Sequence, residues 1–175
     1  MDIVPSTPTP AQPRALPTET RPATAQGGEY LSFRLGAEEY GIDILQVQEI
    51  RSYEDATRIA GAPDFVRGVL NLRGAIVPII DLRLRFDVPA EFNSLTVTVL
   101  LSLAGHTVGV VVDSVADVLE LNLRDIQPAP DFNHCVNTGH ITGLGHVKQG
   151  DTERLLILLD IHRLLAGTDL GLFQA

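Results

Sequence analysis

The chain is expected to be an all-β protein built from two small, similar units. Three observations carry that expectation. Short apolar runs rich in Val, Ile and Leu are each bounded by Gly, Asp or Asn, the pattern of strands separated by turns. Helical signals are only a turn or two long. And Leu35 to Ile50, LGAEEYGIDILQVQEI, aligns without gaps on Leu103 to Val118, LAGHTVGVVVDSVADV. Small sheets commonly hide their edges by curling into barrels, and two barrels would bury a shared apolar face between them.

The first 28 residues hold six of the eleven prolines, among Thr, Ala and Gln, and end in Gly27-Gly28. A stretch so poor in apolar residues does not offset its ordering entropy, so residues 1–28 are expected to be a disordered tail. From Glu29 the alternation of Tyr30 to Leu35, the turn residues Gly36 to Glu39 and the run Tyr40 to Ile44 predict a hairpin. Ala75 to Ile80, Thr96 to Leu103, Thr107 to Val112 and Arg154 to Leu159 predict further strands, some buried on both faces. Short helices are expected at Ala62 to Gly68, at Asp81 to Phe86 and at Asp160 to Ala166, where Asp leads the last two and Gly167 closes the third.

The repeat continues beyond its first segment. Ala62-Pro63-Asp64-Phe65 recurs as Ala129-Pro130-Asp131-Phe132, and Ile80-Asp81-Leu82 as Leu159-Asp160-Ile161, in the same order. The expected division is two barrels over about 29–95 and 96–166, followed by a C-terminal tail over 167–175.

Composition narrows the function. With 22 acidic against 13 basic residues the formal charge is −9, which disfavours a phosphate backbone as partner. Cys135 is the single cysteine, so no internal disulfide forms and a reducing compartment suits the chain. No run approaches the roughly 18 apolar residues of a membrane span, and no secretory signal is visible, which makes the cytoplasm the default address.

The stretch Asp64 to Arg83, DFVRGVLNLRGAIVPIIDLR, resembles the signature of the CheW-like domain. Glu39 to Arg51, Thr57 to Ile59, Gly109 to Asp113, Ile126 to Phe132 and Ile141 to Gly145 are similar to the same family, so the likeness covers Glu29 to Leu165. It implies two SH3-like five-stranded barrels packed together. It also implies an adaptor with no chemistry of its own and no cofactor, which couples methyl-accepting chemoreceptors to the histidine kinase CheA and gathers at receptor clusters on the inner membrane. The kinase CheA, at its regulatory end, and CheV, which adds a receiver domain, carry the same domain; a free coupling protein is the form expected here. By resemblance Val47, Glu49, Ile50, Arg73, Val115 and Val118 meet the receptor, with Glu49 and Arg73 paired, while Val97, Thr98 and Phe132 meet the kinase. Thr98 departs from the apolar residue usual at its position. Gly68, Gly109 and Gly143 are expected to serve tight turns or close backbone approach.

Two other readings compete. His134, Cys135, His140 and His146 suggest a metal, but their spacing fits no strong zinc pattern, and no metal is expected. Cys135 with a neighbouring His could make a thiol enzyme, yet no orienting third group accompanies it. The glycines of Gly139 to Gly145 lack the Lys-Ser/Thr of a phosphate loop. A CheW-like scaffold serving another signalling system also fits the residues.

Overall fold

The computed structural model describes residues 27–129 and 139–166. In chain order they form β1 (Gly28–Leu35), β2 (Glu38–Asp43), β3 (Val47–Ser52), β4 (Val66–Leu72), β5 (Ala75–Asp81), α1 (Leu82–Arg85), β6 (Val97–Leu103), β7 (His106–Val112), β8 (Ser114–Leu121), β9 (Ile126–Gln127), β10 (Ile141–Gln149), β11 (Thr152–Leu159) and α2 (Ile161–Ala166). Asp81 and Asp160 cap the helices as expected, accepting from Arg83 N at 3.0 Å and Arg163 N at 3.1 Å. The helix expected at Ala62 to Gly68 is absent. One turn forms there, with Val66 N donating to Pro63 O at 2.9 Å, and the chain then enters β4, whose pairing with β5 outweighs the local helical signal.

The strands make two sheets, β8-β1-β2-β11-β10-β9 and β3-β6-β7-β5-β4. These are not the two halves of the sequence. The β1–β2 hairpin joins β8 and β11 from the second half, and its repeat counterpart, the β6–β7 hairpin, joins β3 and β5 from the first. Each half therefore lends its leading hairpin to the other's sheet. The two parallel contacts, β2 with β11 and β5 with β7, fall at equivalent places, where Gly41 and Gly109 make room: a Cβ would lie 2.7 Å from Leu156 Cδ2 or 2.6 Å from Ile79 Cδ1.

The two sheets, one of six strands and one of five, curl into barrel-like units. In the first, the edges β8 and β9 are consecutive in the chain and joined by a 3-10 turn, Leu123–Asp125, so one bent ribbon supplies both edges. In the second, the chain leaving β3 reaches the opposite edge at Thr57, which exchanges two 2.9 Å backbone bonds with Val69. The ladders do not run unbroken around either unit; the bend and the bridge complete the curl. Gly68 permits the bridge, since its φ is +134° and a Cβ would sit 2.0 Å from Thr57 O.

Strand alternation explains the continuous apolar runs. Leu31, Phe33, Val99, Leu101, Val108, Val110 and Val112 face a common core between the sheets. Their neighbours Leu100 and Val111 fill the interior of the five-stranded unit, and Tyr30, Leu156 and Leu158 that of the six-stranded one. Each such side chain contributes about 1.5–3 kcal/mol by burial. Ile161, Leu164 and Leu165 of α2 close the shared core.

Candidate functional site

Glu49 and Arg73 are brought together. Glu49 lies on β3 and Arg73 on the β4–β5 turn, at opposite edges of the five-stranded sheet, and Arg73 Nη2 donates to Glu49 Oε2 at 3.2 Å. The carboxylate also lies 3.7 Å from Arg51 Nη1. The Arg73 side chain is 81% exposed, so the pair contributes little to stability and presents a charged, ordered group to solvent. Leu72 opposite Ala75 leaves Arg73 and Gly74 as a two-residue hairpin loop, with φ of 55° and 84°. Positive φ at both positions matches the strand twist and favours Asn or Gly, so Arg is a costly choice for the first. Asn71 Oδ1 accepts from Gly74 N at 3.1 Å across the turn.

The repeat counterpart of Glu49 is Asp117 on β8, and it is used differently. Asp117 accepts from Ser32 Oγ at 2.9 Å and lies 3.5 Å from Arg154 Nη2, an arginine only 23% exposed that also pairs with Glu39. Hydrogen bonds to Glu39, working against a smaller cost of burial, raise the Arg154 pKa. That second cluster fastens strands within the six-stranded unit, whereas the Glu49–Arg73 pair projects outward.

The apolar candidates divide. Val47 and Val115 are half-buried against the shared core, while Ile50 and Val118 are 44% and 50% exposed on β3 and β8. Val97 is half-buried and packs on the shared core. Thr98 is 2% exposed, with its Cγ2 directed at Gly109 and its hydroxyl lacking a partner, so this position belongs to the interior of β6 and offers no surface contact. Phe132, His134 and Cys135 lie outside the described residues. Gly143 is buried in β10, at the register shift between Ile141 and Gly143 that matches the shift at Gly68. The glycine-rich stretch before and within β10 is thus mainly strand: Gly145 faces Leu121, where a Cβ would come within 2.7 Å.

Sequence reasoning did not find a buried polar cluster at the far end of the β4–β5 hairpin from Arg73. Arg83, fully buried, donates twice to Asp81 at 3.0 Å, to Asp113 Oδ1 at 3.1 Å and to the Glu91 carbonyl. Arg67 donates to the same Asp81 at 3.0 and 3.1 Å, and the Arg67 and Arg83 guanidiniums both lie over the Phe92 ring at 4.7 and 4.6 Å. Burial works against the charge on Arg83, but the hydrogen bonds to Asp81 and Asp113 leave its pKa raised. Asp113, at the crossing from β7 to β8, also accepts from Gly36 N at 2.7 Å, tying one unit to the first turn of the other. The Asp81-Leu82-Arg83 spacing was the one available signal, because an acid capping a helix two residues before an arginine can take both of its donors.

Of His134, Cys135, His140 and His146, the two described histidines have separate partners. His146 Nδ1 lies 3.3 Å from Glu153, and His140 packs on Phe86, which stacks in turn on Tyr40. Burial, then the nearby Arg85 charge, lower the His140 pKa. Among the described residues no group of three or more His, Cys, Asp or Glu is placed to hold a metal ion.

Comparison with known proteins agrees with this architecture. Residues 29–169 match the family model of the CheW-like domain. The chemotaxis protein CheW of Klebsiella aerogenes is 51% identical over 147 residues, spanning 83% of this chain and 86% of that one. That of Rhizobium meliloti is 40% identical over 110 residues, 62% of this chain and 71% of its own. The crystal structure of the scaffolding protein TtCheW from Thermoanaerobacter tengcongensis superposes with a TM-score of 0.72 at 28% identity, covering 82% of this chain and 95% of the other. With its crossed repeat, its two curled sheets and this match over most of its length, the chain belongs to the CheW-like domain family.

Proposed function

We propose that this chain is a chemotaxis scaffold that couples the cytoplasmic tips of chemoreceptors to the histidine kinase CheA, meeting the receptor around Glu49 and Arg73 and the CheW-like regulatory domain of the kinase through another face. Family membership and the chemotaxis relatives support the role, and one observation carries the site: an exposed arginine held in a costly turn conformation by a partner on the opposite sheet edge. Ile50 and Val118 supply exposed apolar surface for a helical receptor tip. Control passes as a coupling free energy between two docking faces, and the chain contributes no catalytic group. Its place at the inner membrane comes from its partners; no helix among the described residues is long and apolar enough to cross a membrane.

The test measures binding of Arg73→Ala and Arg73→Glu, separately, to a receptor-tip fragment and to the kinase's regulatory domain. Charge reversal is expected to weaken receptor binding about tenfold or more, equivalent to about 1.4 kcal/mol, and to exceed truncation, because it adds repulsion beside Glu49. Kinase-domain binding should hold. Unchanged receptor affinity together with intact receptor control of the kinase overturns the site.

A further inference from the structure

We propose that Asn71 is a positioning residue for receptor docking: it holds the Arg73–Gly74 turn in its left-handed form and so fixes where the Arg73 guanidinium stands. The inference rests on the docking reading of Arg73 and adds to it the device that aims the side chain.

Among the described residues four hairpins close with two-residue turns, at Gly36-Ala37, Arg73-Gly74, Ala104-Gly105 and Gly150-Asp151. Two of them place Gly first, and a third places Ala104 there with φ of 49°. The fourth places an arginine there with φ of 55°, although a turn of this kind is formed more readily by Asn-Gly or Gly-Gly. Two contacts hold that arginine: Glu49 takes the guanidinium at 3.2 Å, and Asn71, at the base of the turn, accepts the Gly74 N–H at 3.1 Å. Asn71 stands on the exposed side of β4 opposite the exposed Ile76, so its amide fills no core. Without that acceptor the turn is free to relax toward negative φ at residue 73, which splays the strands and carries the guanidinium away from Glu49. The receptor would then bind only the fraction of molecules that retain the native turn.

The experiment uses the full chain as Asn71→Ala, Asn71→Asp and Arg73→Ala. Each is titrated with a receptor-tip fragment and, separately, with the kinase's regulatory domain, and exchange of the Gly74 amide proton is followed by NMR. Asn71→Ala is expected to speed Gly74 exchange and to weaken receptor binding about fivefold, the factor by which the competent population falls, with kinase-domain binding unchanged. Asn71→Asp, whose carboxylate accepts the same N–H, should restore receptor binding to within about twofold. If Arg73→Ala weakens receptor binding but Asn71→Ala does not, or if Asn71→Asp fails like Asn71→Ala, the positioning role is wrong and the docking site stands. If Asn71→Ala weakens both partners alike, the residue is merely structural. If Arg73→Ala itself binds the receptor normally, the docking reading fails and this inference with it.

Discussion

Arg83 carries its charge where no water reaches it, and its neighbours define what its removal would do. Arg83→Ala leaves Asp81 fully buried with Arg67 and the backbone N–H of residue 83 as donors, and strips Asp113 and the Glu91 carbonyl of a donor. Breaking a buried ion pair from one side is expected to cost about 3–5 kcal/mol, read as a fall in the urea midpoint at unchanged slope. A loss below about 1 kcal/mol would mean that water or Arg67 compensates, and that the cluster does not hold the units together. Residues of this kind are poorly legible from sequence, because arginine is rarely buried and nothing local marks the exception. Glu49 and Arg73 are more legible, since the family pattern names both. Thr98 fails the same transfer: its neighbours in β6 are all core-forming, and the alternation that buries Leu100 in the unit's interior buries it as well.

Turns and bridges, more than strand propensity, decide the elements. The Val, Ile and Leu runs identify β5, β6, β7 and β11 because most of each run is buried on both faces, which leaves few polar interruptions to confuse the pattern. Ala62 to Gly68 misleads because Pro63 and Asp64 suit a first helical turn, while the bridge that draws this segment into a sheet comes from Thr57, outside the window being read. Gly68 carries the consequence. Gly68→Ala would press a methyl group into the Thr57 carbonyl and is expected to cost about 2–4 kcal/mol. Gly74→Ala, also at positive φ but with open space around it, should cost about 1–2 kcal/mol from backbone strain alone. Denaturant unfolding of the two variants compares them directly. Equal costs would show that the Thr57–Val69 bridge yields easily and does not set the β4 register.

The molecule as a whole is two units crossed through each other, and the sequence conceals the crossing for a definite reason. The repeats share one pattern of turn, strand and acid, so the β1–β2 hairpin satisfies it equally well beside β3 or beside β8; only the packed structure breaks the tie. A cut between residues 95 and 96 therefore does not yield two domains. Fragments covering 27–95 and 96–166, made separately, are expected to show neither cooperative unfolding nor a dispersed amide NMR spectrum, and to recover both when mixed. Independent folding of either piece would refute the crossed arrangement. The crossing also sets a timetable for synthesis. The β1–β2 hairpin leaves the ribosome early, but one of its neighbours is β8 and the other is β11, whose Arg154 meets Glu39 across 115 residues of chain. Until β8 is translated the hairpin has two unpaired edges, and until β11 follows it keeps one, so the nascent chain depends for that interval on dilution or a chaperone to keep it from pairing with another copy of itself.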